Sequence, residues 1–205
     1  PADSTVHERV AGIRRQVREG QAAAGHGREH AVMDALHEGL PRDAIGAFDM
    51  TIAGYWSAAH LPMYTPRSFL YSLGSGALGY AVAAAIGAQV AAPDRVVFAV
   101  VGDGGFMYAP QELATIREQN LPVNLLVIDD GGYGMLRGIQ ERRFASTHAV
   151  DLFRPDFVAL AASFGIPTRT TDVDGLAEAI AWAAALDGPA MVLLETTLRM
   201  YEPVR

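Results

Sequence analysis

At 205 residues and 21.8 kDa, with 50% of its residues hydrophobic and 19% charged, the chain can bury enough apolar surface to offset the entropy of folding, which excludes a disordered protein and favours one compact domain. Its 16 Lys+Arg against 23 Asp+Glu give a formal charge of -7, which argues against nucleic acid as a partner because a phosphate backbone calls for a concentrated basic face. The absence of cysteine rules out disulfides and thiolate metal sites and points to a reducing, cytoplasmic setting. The most apolar stretch, 74–92, is uncharged, but its glycines, alanines and Gln89 fit a buried helix better than a membrane span. Pro1-Ala2-Asp3-Ser4 does not open a signal peptide, and without an initiator Met the chain reads as a processed subunit or a fragment.

Residues 1–40 read as a helical lead-in. Val6, Val10, Ile13 and Val17 recur at helical spacing, and Ala31, Met33, Leu36 and Leu40 resume the pattern after a break at Gly25-His26-Gly27. Residues 41–205 then alternate apolar runs at 44–48, 96–101, 123–128 and 190–194, with a weaker one at 167–171, with helical stretches at 78–90, 110–119, 155–164 and 173–186. Pro155 suits the first turn of its helix, and Asp156 the positive N-terminal end. This alternation predicts an α/β fold, a doubly wound, mostly parallel sheet with helices on both faces. Val96-Val97-Phe98-Ala99-Val100-Val101 is apolar throughout, as a central strand covered on both faces must be.

Ligands of such sheets bind beyond the carboxyl ends of the strands. Two acidic, glycine-rich loops stand there: Gly102-Asp103-Gly104-Gly105 and Asp129-Asp130-Gly131-Gly132-Tyr133-Gly134. Glycines let backbone N–H groups approach an anion closely, and carboxylates offer hard oxygen to Mg²⁺, which completes its octahedron with phosphate oxygens and water. Asp103 and Asp130 are 27 residues apart, the span of strand end, helix, strand and next strand end. Neighbouring parallel strands lie about 4.8 Å apart. A cation between Asp103 and Asp130, with a backbone carbonyl near Gly132 and a diphosphate beside it, would account for both loops. Taken singly, each loop is also an ordinary strand-ending turn.

Gly102-Asp103-Gly104, Gln111-Glu112-Leu113-Ala114-Thr115, Leu121-Pro122-Val123 and Asp129-Asp130-Gly131-Gly132-Tyr133-Gly134-Met135 together resemble the cofactor-binding signature of thiamine-diphosphate-dependent enzymes. Upstream, Pro66-Arg67-Ser68-Phe69, Gly74, Gly76, Gly79 and Ala84-Ala85-Ile86-Gly87-Ala88 resemble the acetolactate synthase-like and 2-oxo acid decarboxylase group. The resemblance runs from about residue 44 to the tail. It implies a thiamine-diphosphate-binding fold, with thiamine diphosphate and Mg²⁺ as cofactors. It also implies that the chain is the C-terminal, diphosphate-binding part or subunit of an enzyme that decarboxylates a 2-oxo acid, ligates the product to a second carbonyl, or does both.

The same resemblance implies residue roles. The metal ligands are Asp103, Asp130 and the Gly132 carbonyl. Gly102, Gly104, Gly105, Tyr133, Gly134 and Met135 wrap the diphosphate through their backbone. At the catalytic end, Leu78 wedges under the bent cofactor and the Gly76 carbonyl accepts from the 4′-amino group, a positioning effect; plain core packing is the competing reading of Leu78. The activating glutamate of the family belongs to a pyrimidine-binding domain, usually of a second subunit. No Glu here matches it, and Glu112 reads as a structural helix residue. The implied partners are therefore a pyrimidine-binding domain or subunit in a homo- or hetero-oligomer, dimer or tetramer, and a small 2-oxo acid selected by that domain and the tail.

The chain departs from the family pattern in three places. Asp129 and Asp130 replace the usual Asn pair and add charge, with Asp130 going to the metal and Asp129 to a backbone cap or to solvent. Asp49-Met50-Thr51-Ile52-Ala53-Gly54 lacks the Gln-His often found there, leaving Thr51 as a hydroxyl donor to phosphate or as a helix cap. Ile139 stands where acetolactate synthases place a tryptophan. The histidines show no metal-ligand spacing; His26 and His30 are expected to face solvent, and His60, near Tyr55 and Trp56, is the one best placed to meet substrate. Two other classes stay open: a dinucleotide-binding domain, disfavoured by the lack of Gly-x-Gly-x-x-Gly opening a helix, and a non-catalytic scaffold or regulatory subunit that retains the fold.

Overall fold

The computed structural model describes residues 4–201. Helices α1 (Ser4–Ala23) and α2 (Gly27–Gly39) precede β1 (Ile45–Phe48), α3 (Ile52–His60), β2 (Phe69–Tyr71), α4 (Tyr80–Ala91) and β3 (Val97–Gly102). There follow α5 (Asp103–Phe106), α6 (Glu112–Glu118), β4 (Val123–Asp129), α7 (Gly134–Phe144), α8 (Phe157–Ser163), β5 (Thr168–Thr171), α9 (Leu176–Ala184) and β6 (Ala190–Glu195). The strands form one parallel sheet in the order β2-β1-β3-β4-β6-β5. This is the doubly wound architecture that the alternation predicts.

Strand alternation decides which helix covers which face. In β3, Phe98 and Val100 point to one side and Val97, Ala99 and Val101 to the other, and all five are fully buried. On the first side they pack with Leu36 of α2, Trp56 of α3 and Ile180 of α9. On the second they meet Val82 of α4, Ile116 of α6 and Phe157 of α8. Helix α2 is thus built into a core, whereas α1 is tied to it at Arg18, whose guanidinium donates to the Asp34 carboxylate.

Two elements carry no clear periodicity. β2 has three residues and pairs with β1 at the sheet edge, and α3 follows its strand after a three-residue loop. Asp156 caps α8 by accepting the Ala159 N–H at 2.8 Å, which sets Pro155 before the helix rather than in its first turn. Among the described residues no helix is long and apolar enough to cross a membrane.

His26 and His30 do not face solvent. Both are buried with Glu29 against Trp56, because the left-handed turn at Gly25 folds α2 back beneath the carboxyl-terminal stretch. Glu29 accepts the Arg199 N–H at 2.6 Å and the Trp56 indole donates to the Arg199 carbonyl at 2.9 Å. His60 stacks on Trp56 and meets His30 and Tyr201. Burial holds His30 and His60 below the usual imidazole pKa, helped for His30 by Arg18 and for His60 by His30. A base that is harder to protonate when folded contributes stability that is fully present above about pH 6.5 and is lost as pH falls below it. Thermal unfolding at about pH 7.5 and about pH 5.5 should therefore show a drop in Tm on acidification that His60→Phe reduces; an unchanged drop contradicts the assignment.

Candidate functional site

The strand order locates the site. From β1 the chain moves outward to β2, and from β3 it moves to β4 on the opposite side, so the loops after β1 and β3 diverge and leave a crevice at the carboxyl ends. A cavity of about 310 Å³ fills it. The cavity is walled by Asp49, Met50 and Thr51 after β1, residues 102–105 after β3, the loop after β4, and Gly76 and Leu78 ahead of α4. Thr51, Gly76, Leu78, Gly102, Asp103, Gly104, Gly105, Asp130, Gly132, Tyr133, Gly134 and Met135 all line this one cavity.

Pairing of β3 and β4, with Gly102 opposite Ile128, brings Asp103 out level with Asp129, the last residue of β4, with Asp130 one residue further along. Asp103 is 4% exposed, and burial together with the negative charge of Asp130 and Asp129 pushes its pKa up to about 6. Burial raises Asp130 as well, against the pull of Arg137. Asp130 Oδ1 is buried without a hydrogen-bond partner, its cation neighbour Arg137 Nη1 lying 3.9 Å away. A buried Asp103, a half-buried Asp130 and an orphaned carboxylate oxygen make a donor set that a hard divalent cation satisfies. Among the described residues no group of three or more His, Cys, Asp and Glu forms a metal cage, so a cation here draws further oxygens from backbone and ligand. Gly132 sits at φ +152°, and a Cβ on it would fall 2.1 Å from the Val150 carbonyl oxygen, so the loop closes on the strap around Val150 only with glycine at this position.

Of the two fates open to Asp129, the structure selects the backbone cap. Its carboxylate is 5% exposed, accepts the Gly131 N–H at 3.1 Å, and is gripped by Arg154 at 2.5 to 3.0 Å. Arg154 reaches on to Glu195, while Arg137 bonds Asp151 at 2.9 Å. Two arginines thus offset the charge that the Asp pair adds. Sequence reasoning missed both; two adjoining carboxylates call for nearby cations, but no spacing rule selects residue 154.

Leu78 is half-buried at the cavity wall and belongs to neither core cluster. Thr51 occupies the N-cap position of α3, yet its hydroxyl makes no capping bond and lies beside Gly102 at the cavity. His60, expected nearest the substrate, is at the far end of α3 and outside the cavity lining, because nine helical residues carry it away from the strand end.

Asp103→Asn should stabilise the ligand-free protein by about 1–2 kcal/mol at neutral pH, since the wild-type carboxylate loses stability as pH rises from about 4 through about 6. Arg154→Gln should destabilise it by about 1–3 kcal/mol by leaving Asp129 buried without its cation. Denaturant unfolding reads both, and the same sign for the two variants contradicts the charge account.

Residues 49–194 match the family described as thiamine pyrophosphate enzyme, C-terminal TPP binding domain. The chain is 33% identical over 166 residues to the acetolactate synthase isozyme 2 large subunit of Escherichia coli strain K12, covering 78% of this chain and 30% of that protein. It is 35% identical over 170 residues to a probable 2-ketoarginine decarboxylase of Pseudomonas aeruginosa, with 82% and 30% covered. Its fold superimposes on the thiamine diphosphate-dependent 4-hydroxybenzoylformate decarboxylase of Rhodococcus jostii RHA1 with a TM-score of 0.72 at 29% identity, covering 82% of this chain and 32% of that one. The chain therefore spans less than a third of the length of these relatives.

Proposed function

Because the chain belongs to the thiamine pyrophosphate enzymes, as their C-terminal cofactor-binding domain, we propose that the cavity takes thiamine diphosphate through a Mg²⁺ ion held by Asp103, Asp130 and the Gly132 carbonyl. Buried Asp103 beside the buried, unpartnered Oδ1 of Asp130 carries this reading. Backbone N–H groups of Gly102, Gly104, Gly105, Gly134 and Met135 receive the diphosphate, with Tyr133, whose own N–H is donated to the Val150 carbonyl at 2.8 Å, lining the cavity and the unengaged Thr51 hydroxyl and the amino end of α3 beside it. The Gly76 carbonyl accepts from the aminopyrimidine and Leu78 props that ring, which its position at the cavity wall and outside the cores supports. When bound, thiamine diphosphate supplies a carbon nucleophile for decarboxylation and carbon–carbon ligation of 2-oxo acids. The residues of this chain bind, orient and keep water from the cofactor's underside.

Residues 41–205 form the cofactor domain in this reading and residues 1–40 a helical lead-in. Turnover of a small 2-oxo acid by the whole enzyme needs a pyrimidine-binding domain or subunit that brings the activating glutamate, in a dimer or tetramer. Lack of cysteine supports a cytoplasmic setting.

Calorimetry of the chain assembled with its pyrimidine-binding partner should show thiamine diphosphate binding that requires Mg²⁺ and that Asp103→Ala weakens by about a hundredfold or more. Absence of binding, with Asp103→Ala neutral, replaces this reading with a scaffold or regulatory subunit. Full decarboxylation of a 2-oxo acid by the isolated chain overturns the need for the partner.

A further inference from the structure

Asp49 is a buried carboxylate that the proposed chemistry leaves unassigned. It is 0% exposed at the carboxyl end of β1. Its Oδ2 accepts the Gly79 N–H at 2.9 Å and its Oδ1 the Ala81 N–H at 2.8 Å. These are orphan donors at the start of α4, where Gly79 occupies the N-cap position with φ +75° and has no side chain to cap with. The cap therefore comes from a strand thirty residues earlier, and the positive end of the helix favours a carboxylate there. Asp49 Oδ2 also lies 2.5 Å from the point a Cβ on Gly105 would occupy, so α5 approaches the carboxylate only because residue 105 is glycine.

One side chain thus ties three walls of the cavity: the loop after β1, the turn after β3 and the segment ahead of α4. That segment needs an anchor. Residues 73–77 are exposed, and the bonds within it are local: Ser72 O accepts from Ser75 and Gly76, and Ser72 Oγ donates to the Ala77 carbonyl. Two residues separate Gly76 from Gly79, and Leu78 adjoins it.

We propose that Asp49 is a positioning residue that sets Gly76 and Leu78 at a fixed height over the metal and diphosphate loops, so that its carboxylate governs recognition of the aminopyrimidine half of the cofactor and not of the diphosphate half. The proposal rests on the cavity being a thiamine diphosphate site. Asp49→Asn keeps the shape but turns an amide NH₂ toward one of two backbone N–H donors. In calorimetry with Mg²⁺, with both proteins assembled with the pyrimidine-binding partner, the variant should bind thiamine diphosphate about tenfold or more weakly while inorganic diphosphate binds within about twofold of wild type. Equal loss of both probes, or loss of neither, overturns the positioning role; a wild-type chain that binds diphosphate but not thiamine diphosphate overturns the cofactor reading instead. If the Asn variant does not fold, hydrogen exchange of the ligand-free wild type decides: Gly79 and Ala81 amides should exchange as slowly as those of β3 and β4, and exchange at the rate of an open loop sinks the proposal.

Discussion

The burial of Asp103 at a strand end, close to the carboxylates of Asp129 and Asp130, is the constraint on which the site depends. Asp103 and Asp129 stand level at the ends of two buried neighbouring strands, and Asp130 follows one residue on. Water cannot solvate them fully there, and the polar groups they need must come from the surrounding backbone, from cations or from a ligand. The loop glycines, the two arginines and the unpartnered Asp130 oxygen are consequences of that placement.

A second layer of electrostatics keeps the pair tolerable in the ligand-free protein. The first acid of the Asp-Asp pair is held by Arg154 and by the Gly131 N–H, while it still lies against Asp103 and helps raise its pKa. The second lines the cavity together with Asp103, and Arg137 bonds its backbone carbonyl at 3.4 Å but stays 3.9 Å from its carboxylate. Identical side chains in consecutive positions therefore have different fates, decided by which way the strand's last residue turns its Cβ. Asp49 follows the same logic at β1, where the charge is absorbed by the amino end of α4.

The aromatic cluster on the opposite flank is held chiefly by burial, with the Trp56 indole and Glu29 bonding the Arg199 backbone. Three imidazoles meet Trp56, Tyr201 packs on Trp56 and His60, and His30 Nε2 and His60 Nε2 are unpartnered, so this packing holds the stretch 198–201, whose Leu198 also touches the cavity. Core and site are thus joined through the tail.

Much of this was legible before any coordinates. The apolar runs at 96–101 and 123–128 predict central parallel strands, and glycine-flanked acids at their ends come together where those strands are neighbours, so sequence alone determines the fold class and points to the two acidic loops that line the cavity. Short elements escaped, since three residues of β2 cannot display a period and α3 follows its strand too closely to be separated from it. Solvent exposure of His26 and His30 was inferred from a glycine-rich joint, and the structure reversed it because a chain reversal buries whatever lies beneath the returning segment. Local sequence encodes periodicity, turns and the chemistry available at each position. Which arginine neutralises Asp129, that Asp49 caps a helix thirty residues away and that Leu78 stands outside both cores are pairings across the fold, and three-dimensional packing alone decides them.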